Sequence, residues 1–137
     1  MTSKIISLDT NVLIYLHDSS NNLKREIAKN LLAENPNISS QVISEYLNTT
    51  RRLLNLSKTD LLIQTSKLFL GCTIAPVSPA TLLSAAKLSE KYQFQLFDAI
   101  IVASSLETNC TTLYSEDMHH GLVVNKTLTI LNPFVQL

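Results

Sequence analysis

Short apolar runs alternate with amphipathic stretches along this chain. The first run, residues 4–8, has the length and composition of a buried strand. Leu23, Ile27 and Leu31 then recur every four residues, which is the spacing of one face of a helix. The last strand candidate covers residues 127–131, and the Asn-Pro pair that follows stops it. The pattern therefore predicts strands and helices in alternation.

Capping and turn residues delimit the elements in between. A helix is expected after the candidate N-caps Ser39 and Ser40, and another between Ser57 and Gly71. The remaining candidates are helices over residues 79–91 and 98–109 and short strands at Ile38, residues 73–77 and residues 111–114. Strands separated by helices need right-handed crossovers. We therefore expect an α/β fold whose mostly parallel central sheet is covered by helices on both faces.

Length and composition narrow the class of protein. The 137 residues fit one domain spanning residues 1–137, and 45% apolar residues make disorder a poor interpretation. Only two glycines occur, so there is no glycine-rich loop for phosphate, which excludes P-loop and dinucleotide-binding folds. No apolar run is long enough to span a membrane and no secretion signal is visible, so the cytoplasm is the expected location.

Charge and cysteine content say little about the function of the protein. Lys plus Arg equals Asp plus Glu at 11 each, so bulk charge does not indicate nucleic-acid binding. Residues 1–70 hold eight basic residues against six acids, whereas the remainder holds three against five. Cys72 and Cys110 lack metal-ligand spacing; we expect buried, reduced thiols, with a disulfide between them left open.

Four acids occupy positions at which a site could form. Asp9 follows the first strand, Asp117 follows the strand at 111–114, and Asp98 opens a helix. Glu45 stands among apolar residues of another helix. Ligands of an open parallel sheet lie beyond the carboxyl ends of its strands, so these acids are expected to meet there. Clustered carboxylates raise one another's pKa, and proteins keep them mainly to bind hard cations such as Mg²⁺ or Mn²⁺. Such a metal supports phosphodiester hydrolysis.

Each acid alone also has a simpler explanation. Asp9, ahead of a short helix at 12–16, and Asp98 are both good helix caps. Glu45 could pair with Arg51, and Asp117 could be a turn residue.

Three other features keep two interpretations each. The adjacent His119 and His120 suit an exposed loop better than a transition-metal site. Arg51, Arg52 and Lys58 are either a solvated helix face or phosphate contacts. The apolar residues at 61, 62, 68 and 69 suit the core, although an exposed part could serve an interface. The fold of residues 118–125 is not predicted.

The chain resembles the PIN-domain ribonucleases, particularly the VapC-type toxins of prokaryotic toxin–antitoxin pairs, over nearly its whole length. Four segments carry the resemblance: "LDTNVLIY" at 8–15, "SEYLN" at 44–48, "LFDAIIVASSLETNC" at 96–110 and "LYSED" at 113–117. The resemblance implies a three-layer α/β/α fold, a divalent metal (Mg²⁺, with Mn²⁺ also suitable) and endonucleolytic cleavage of RNA.

The resemblance also assigns roles to single positions. Asp9 matches the first metal-binding acid, Asp98 the third, and Asp117 the fourth. Glu45 matches the helical acid that completes the pocket and holds water on the metal. All four acids are therefore expected to be catalytic and metal-binding.

Supporting residues and partners follow from the same resemblance. Asn11 and Ser115 match polar positions that orient the acids. The expected partners are an RNA substrate, a cognate antitoxin protein and a second copy of the chain in a homodimer, with no membrane involved. Three alternatives stay open: a housekeeping RNA-processing PIN nuclease, a phosphohydrolase with an aspartyl nucleophile, and a non-catalytic interaction domain. Asn11 stands where the aspartyl-nucleophile enzymes need a second Asp.

Overall fold

A computed structural model of the protein describes residues 4–135. Over these residues the chain forms six helices and six strands, and five of these strands are predicted from the sequence. The strands are β1 (Ile6–Leu8), β2 (Asn37–Ser39), β3 (Thr73–Ala75), β4 (Thr112–Tyr114), β5 (Val123–Val124) and β6 (Leu128–Leu131). The helices are α1 (Thr10–Ile14), α2 (Asn22–Leu32), α3 (Ser40–Leu53), α4 (Lys58–Leu68), α5 (Pro79–Tyr92) and α6 (Leu96–Glu107), and a 3₁₀ turn (Tyr15–His17) follows α1.

The strands form one sheet in the order β3-β2-β1-β4-β6-β5. All neighbours are parallel except β5, which runs antiparallel to β6. Every residue of β1 and β2 is buried, as expected for parallel strands that are covered on both faces. The predicted α/β/α fold with a mostly parallel sheet is confirmed.

Some boundaries differ from the prediction. The strand expected over residues 73–77 stops at Ala75, because Pro76 has no backbone N–H to continue the ladder. Helix α4 ends at Leu68, before the predicted stop at Gly71. Gly71 lies instead in the next turn, where a Cβ atom would come within 2.6 Å of Asn35 Oδ1. Strand β5 lies in the segment for which the sequence predicts nothing.

Two further expectations concern the cysteines and the membrane. Cys110 is buried and Cys72 is partly buried, and both are free thiols. Burial raises the pKa of the Cys72 thiol, which keeps it protonated. Between residues 4 and 135, none of the helices has the length and apolar character required to cross a bilayer.

Helix α6 is fixed to the sheet by paired hydroxyls. Residues 99–105 of α6 are all buried. Ser7 Oγ on β1 lies 2.7 Å from Ser105 Oγ, and Ser39 Oγ at the end of β2 lies 3.0 Å from Ser104 Oγ. Buried hydroxyls need such partners, since an unsatisfied one keeps its full desolvation penalty. The pairs therefore set the position of α6, and with it Asp98, relative to β1.

The Ser7–Ser105 pair makes a testable contribution to stability. Ser105→Ala leaves the Ser7 hydroxyl buried without this partner, so we expect the free energy of unfolding to fall by about 1–3 kcal/mol. Ser7→Ala combined with Ser105→Ala should cost less than the sum of the single changes, because the second change removes the orphaned group. Urea unfolding measures all three variants. Ser66→Ala on the exposed side of α4 is the control; strictly additive effects would contradict the pairing.

Candidate active site

The order of the strands creates a crevice between β1 and β4. The chain extends the sheet from β1 to β2 and β3 on one side, and then returns to build β4 and β6 on the other. Open α/β sheets bind ligands at such a switch point, beyond the carboxyl ends of the strands. Asp9 directly follows β1, and Ser115 directly follows β4. Both residues therefore lie at this crevice, where Asp9 N donates to Tyr114 O at 2.9 Å.

A cavity of about 460 Å³ opens at this crevice. Most of its lining is acidic or polar, and no Lys, Arg or His among residues 4–135 contributes to it. The lining residues are Asp9, Thr10, Asn11, Ile14, Tyr15, Asp18, Glu45, Thr49, Asp98, Glu116 and Asp117. The four acids singled out from the sequence thus line one cavity, although they come from four separate segments of the chain.

Asp9 is the most buried of these acids, with 4% of its surface exposed. Its Oδ1 accepts a hydrogen bond from Thr10 N at 2.7 Å, so Asp9 is also the N-cap of α1. Its Oδ2 accepts from Ser115 Oγ at 2.8 Å and from Asn11 Nδ2 at 3.3 Å. Asp9 can therefore cap α1 and also belong to the cavity, because Oδ1 makes the capping hydrogen bond and Oδ2 contacts the other polar residues of the site.

Asn11 connects α1 to the segment after β4. Its Nδ2 donates to Asp117 Oδ2 at 3.1 Å as well as to Asp9, while its Oδ1 accepts from Glu116 N at 3.0 Å. Ser115 Oγ also accepts from Met118 N at 3.2 Å. Asn11 and Ser115 thus both contact the acids that the resemblance expects them to orient.

Glu45 reaches the cavity from α3. Its Oε2 accepts from Thr10 Oγ1 at 2.8 Å and its Oε1 accepts from Gln41 Nε2 at 3.2 Å. In the described part of the chain Glu45 forms no ion pair, and Arg51 is exposed, so the alternative Glu45–Arg51 pair is not seen. The sequence reasoning assigned no role to Thr10 or Gln41. Thr10 stands inside the first motif, and Gln41 precedes Glu45 by one helical turn, the spacing at which two side chains meet.

Asp98 lies in the first turn of α6 and is not its cap. The N-cap is Gln95, whose side chain makes no capping hydrogen bond. The interpretation of Asp98 as a cap is therefore wrong by three residues, because the helix begins earlier, at Leu96. A carboxylate in a first turn is still stabilised by the helix dipole.

Burial and mutual repulsion disfavour negative charge in the cavity. Burial raises the pKa of Asp9 to about 6, and the charges of Asp98 and Glu45 add to this rise, whereas hydrogen bonds from Ser115 and Thr10 lower it. The pKa of Asp98 is also raised, first by burial and then by the charges of Glu45 and Asp117. Between residues 4 and 135 no basic side chain belongs to the lining, so these charges lack a compensating cation there.

The donor set fits a hard divalent cation. All the titratable donors are carboxylates, which are the ligands that Mg²⁺ and Mn²⁺ prefer. Between Lys4 and Val135, no three His, Cys, Asp or Glu side chains are close enough to ligate one ion together. Mg²⁺ does not require three, since proteins usually hold it through one or two carboxylates, several waters and the phosphates of a substrate.

Glu116 differs from the other acids because it has a cationic partner. Lys24 Nζ on α2 lies 2.6 Å from Glu116 Oε2, and Tyr15 OH donates to Glu116 Oε1 at 2.7 Å. Lys24 Nζ also lies 4.7 Å from the centre of the Tyr15 ring and 5.1 Å from that of Phe134. This cluster was missed, because nothing in the sequence relates Lys24 to a residue 92 positions further on.

The two histidines lie in an irregular, exposed segment, which confirms the loop interpretation. His120 Nδ1 accepts a hydrogen bond from Asn132 N at 2.9 Å. His119 is directed to a different part of the surface, next to Asp98 and Asp117.

Comparison with protein families identifies the class. The model of the PIN domain family matches residues 6–122. The chain therefore belongs to the PIN domain family. Comparison with curated proteins gives no match.

Solved structures with the same fold share little sequence with this chain. A toxin–antitoxin complex from Klebsiella pneumoniae contains a chain with a TM-score of 0.70 and 21% identity, covering 94% of this chain and 98% of that one. VapBC2 from Rickettsia felis, bound to a promoter DNA fragment, contains a chain with a TM-score of 0.64 and 20% identity, covering 93% of this chain and 98% of that one. VapC20 of Mycobacterium tuberculosis, a sarcin-ricin loop cleaving toxin, has a TM-score of 0.62 and 16% identity. The match covers 79% of this chain and 86% of that one.

The raised pKa of Asp9 predicts a pH-dependent stability. The ordinary pKa is 3.8 and the folded one is about 6, so the unfolded chain releases this proton first as the pH rises. Stability that is present below pH 3.8 is therefore lost as the pH rises through about 6. Relative to Asp9→Asn, the wild type should lose on the order of 2–3 kcal/mol of unfolding free energy over this interval.

Urea unfolding at a series of pH values, in the presence of EDTA, measures this difference. Asp60→Asn is the matched control, because Asp60 is exposed at the start of α4 and should leave the pH profile unchanged. Parallel profiles for the wild type and Asp9→Asn would contradict the pKa shift.

Proposed function

We propose that this protein is an endoribonuclease that hydrolyses RNA phosphodiester bonds with a divalent metal, Mg²⁺ or Mn²⁺. The observation that carries the proposal is the convergence of Asp9, Glu45, Asp98 and Asp117 on one cavity, to which the described part of the chain contributes no basic residue. The raised pKa values of Asp9 and Asp98 support it, since these carboxylates retain repulsion that a cation would relieve.

In this proposal, one or two of the acids Asp9, Asp98, Glu45 and Asp117 would hold the metal directly, and the others would hold it through bound water. A divalent cation bound there would neutralise charge that develops on the phosphate and make a water molecule more acidic. Asp9 is suited to a fixed ligand, because its two oxygens are oriented by Thr10, Ser115 and Asn11. Ligands that are held in this way need little rearrangement when the ion binds.

Glu45 is suited to accept the proton of the attacking water. Thr10 Oγ1 and Gln41 Nε2 each donate to one of its oxygens, which keeps the carboxylate at the cavity wall. Each carboxylate oxygen has two acceptor sites, so both oxygens keep one site for water. Glu45 is also less buried than Asp9, so water can reach it.

Loss of a proposed metal ligand should abolish cleavage. Asp9→Asn and Asp98→Asn each remove a charge from the cavity at nearly constant volume, so RNA cleavage in Mg²⁺ should fall by more than about a hundredfold. The products of the wild type should carry 5′-phosphate and 3′-hydroxyl ends. Asp60→Asn makes the same chemical change away from the cavity and should cleave normally.

Cleavage of a labelled RNA, with and without EDTA, measures these rates. Equal rates for Asp9→Asn and the wild type, after contaminating nuclease is excluded, would end the proposal. Titration of the proteins with Mn²⁺ in a calorimeter tests the metal separately from catalysis. The ligand variants should bind it more weakly than Asp60→Asn.

We further propose that the protein is the toxin of a type II toxin–antitoxin pair. The support is the fold shared with the Klebsiella and Rickettsia complexes and with the sarcin-ricin loop cleaving toxin of Mycobacterium tuberculosis. The proposed partners are a small antitoxin protein and a second copy of this chain. Leu62 and Ile63 on α4 are about half exposed, at 57% and 48%, which leaves apolar surface for such contacts. The alternative is a housekeeping PIN nuclease that processes RNA.

Growth tests separate the toxin from the housekeeping enzyme. Expression of the wild type in a bacterial host should arrest growth, because uncontrolled RNA cleavage stops protein synthesis. Asp9→Asn should not arrest growth. Co-expression of a small DNA-binding protein encoded beside this gene should restore growth. A wild type that leaves growth unaffected, although it cleaves RNA in vitro, would favour the housekeeping role.

A further inference from the structure

A second hollow, of about 300 Å³, adjoins the acidic cavity. Asp98 and Asp117 line both, so the two are neighbours. The rings of Tyr92, Phe94 and His119 form much of the rest of its wall. If a polymer is bound at the acids, its adjacent monomer would therefore lie at this ring-lined hollow.

The connection between α5 and α6 builds this wall. The residues before Asp98 read YQFQLF, so three of the eight Phe and Tyr residues of the chain lie within six positions. Gln93 has a left-handed backbone, with φ of 62°, which turns the chain directly after α5. The Tyr92 and Phe94 ring centroids lie 5.7 Å apart, and Tyr92 OH is held by Asn125 N at 2.9 Å.

Charge and shape select the kind of ligand. Among the residues that the structure describes, no Lys or Arg lines the hollow itself; the Lys91 ammonium lies beside it, with Nζ 5.1 Å from the centre of the Tyr92 ring. Aromatic side chains stack nucleobases of any sequence, because every base has a π face. Tyr92 and Phe94 are partly buried against the core, which holds the rings in place, and His119 is exposed.

Polar groups for a base edge are also present. Gln93 and Gln95 both line the hollow. Gln93 Nε2 donates to Glu90 O at 2.9 Å, which fixes its amide. Gln95 is exposed, and its side chain does not cap α6, so its amide is available to a ligand. Side-chain amides can both donate to and accept from a base edge.

We propose that this hollow binds the nucleobase of an RNA nucleotide next to the scissile phosphate, by stacking on the rings of Tyr92, Phe94 and His119 and hydrogen bonding to Gln95. The proposal rests on the nuclease function proposed above, and it adds that recognition depends on one base beside the cut. It also gives a role to His119, which the metal chemistry does not use.

The adjacent histidines provide a matched test. His119 lines the hollow, whereas His120 is exposed next to it and contacts Asn132 instead. With a short RNA, one abasic nucleotide beside the cut should raise KM by about fivefold to a hundredfold for the wild type. His119→Ala should raise KM for intact RNA and show a smaller abasic penalty. His120→Ala should behave as the wild type in both respects.

Two more variants guard against indirect effects. Phe94→Leu keeps apolar volume and removes one ring, so it should reduce the abasic penalty in the same way; thermal unfolding checks that it is folded. Gln95→Ala should change the preference among the four bases at the same position. A purely structural role for Gln95 would not alter base preference.

The outcomes separate this inference from the nuclease proposal. Binding is measured by anisotropy of labelled RNA on Asp9→Asn in Mg²⁺, with and without the change at His119. If the wild type cleaves RNA but no abasic position matters, or if His119→Ala and His120→Ala behave alike, the base site is wrong and the nuclease stands. If nothing is cleaved, yet one abasic position weakens binding and His119→Ala removes that effect, the base site stands and the nuclease fails.

Discussion

The arrangement of this protein depends on the burial of one carboxylate, that of Asp9, at the end of the central strand. Burial alone disfavours its charge, and two neighbouring acids disfavour it further. Donors from Thr10, Ser115 and Asn11 offset part of this penalty. The uncompensated remainder keeps the pKa of Asp9 raised to about 6, and it is a property of the fold, because the backbone fixes Asp9 between β1 and α1.

The rest of the fold serves to bring further acids to this point. The return of the chain from β3 to β4 places Asp117 across the crevice from β1. Hydroxyl pairs between α6 and the strands set the depth of that helix, and its first turn carries Asp98. The same contacts therefore serve stability and the site: a shift of α6 by one residue would leave the buried Ser7 hydroxyl without Ser105 and would also move Asp98 relative to the cavity.

Much of the fold, and the positions of two of the acids, can be predicted from the local sequence pattern. The features that cannot be predicted have physical reasons. Asp9 and Asp117 were identified because strand ends are visible as the points where apolar runs stop. Strand β5 is not predictable in this way, because two residues are too few to show a periodicity. It is a strand only because it pairs with β6. The start of α6 was misjudged because Gln95 caps it without a side-chain hydrogen bond. Lys24 and Glu116 meet only through the fold, so no spacing in the sequence could reveal their pair.

The charge of the chain bears on how an RNA could be recognised. Net charge is zero, and Lys24 is already paired with Glu116, one of the acids that line the cavity. Proteins that bind nucleic acid through many basic contacts gain affinity from counterion release and bind any sequence. A cavity whose lining is acidic has little of this general attraction. In the proposed nuclease, a bound divalent cation would attract the phosphate at the cut and the proposed base site would add contacts to a neighbouring base, and both are local. Such an enzyme would select its target by the structure around the cut and would leave most other RNA unbound.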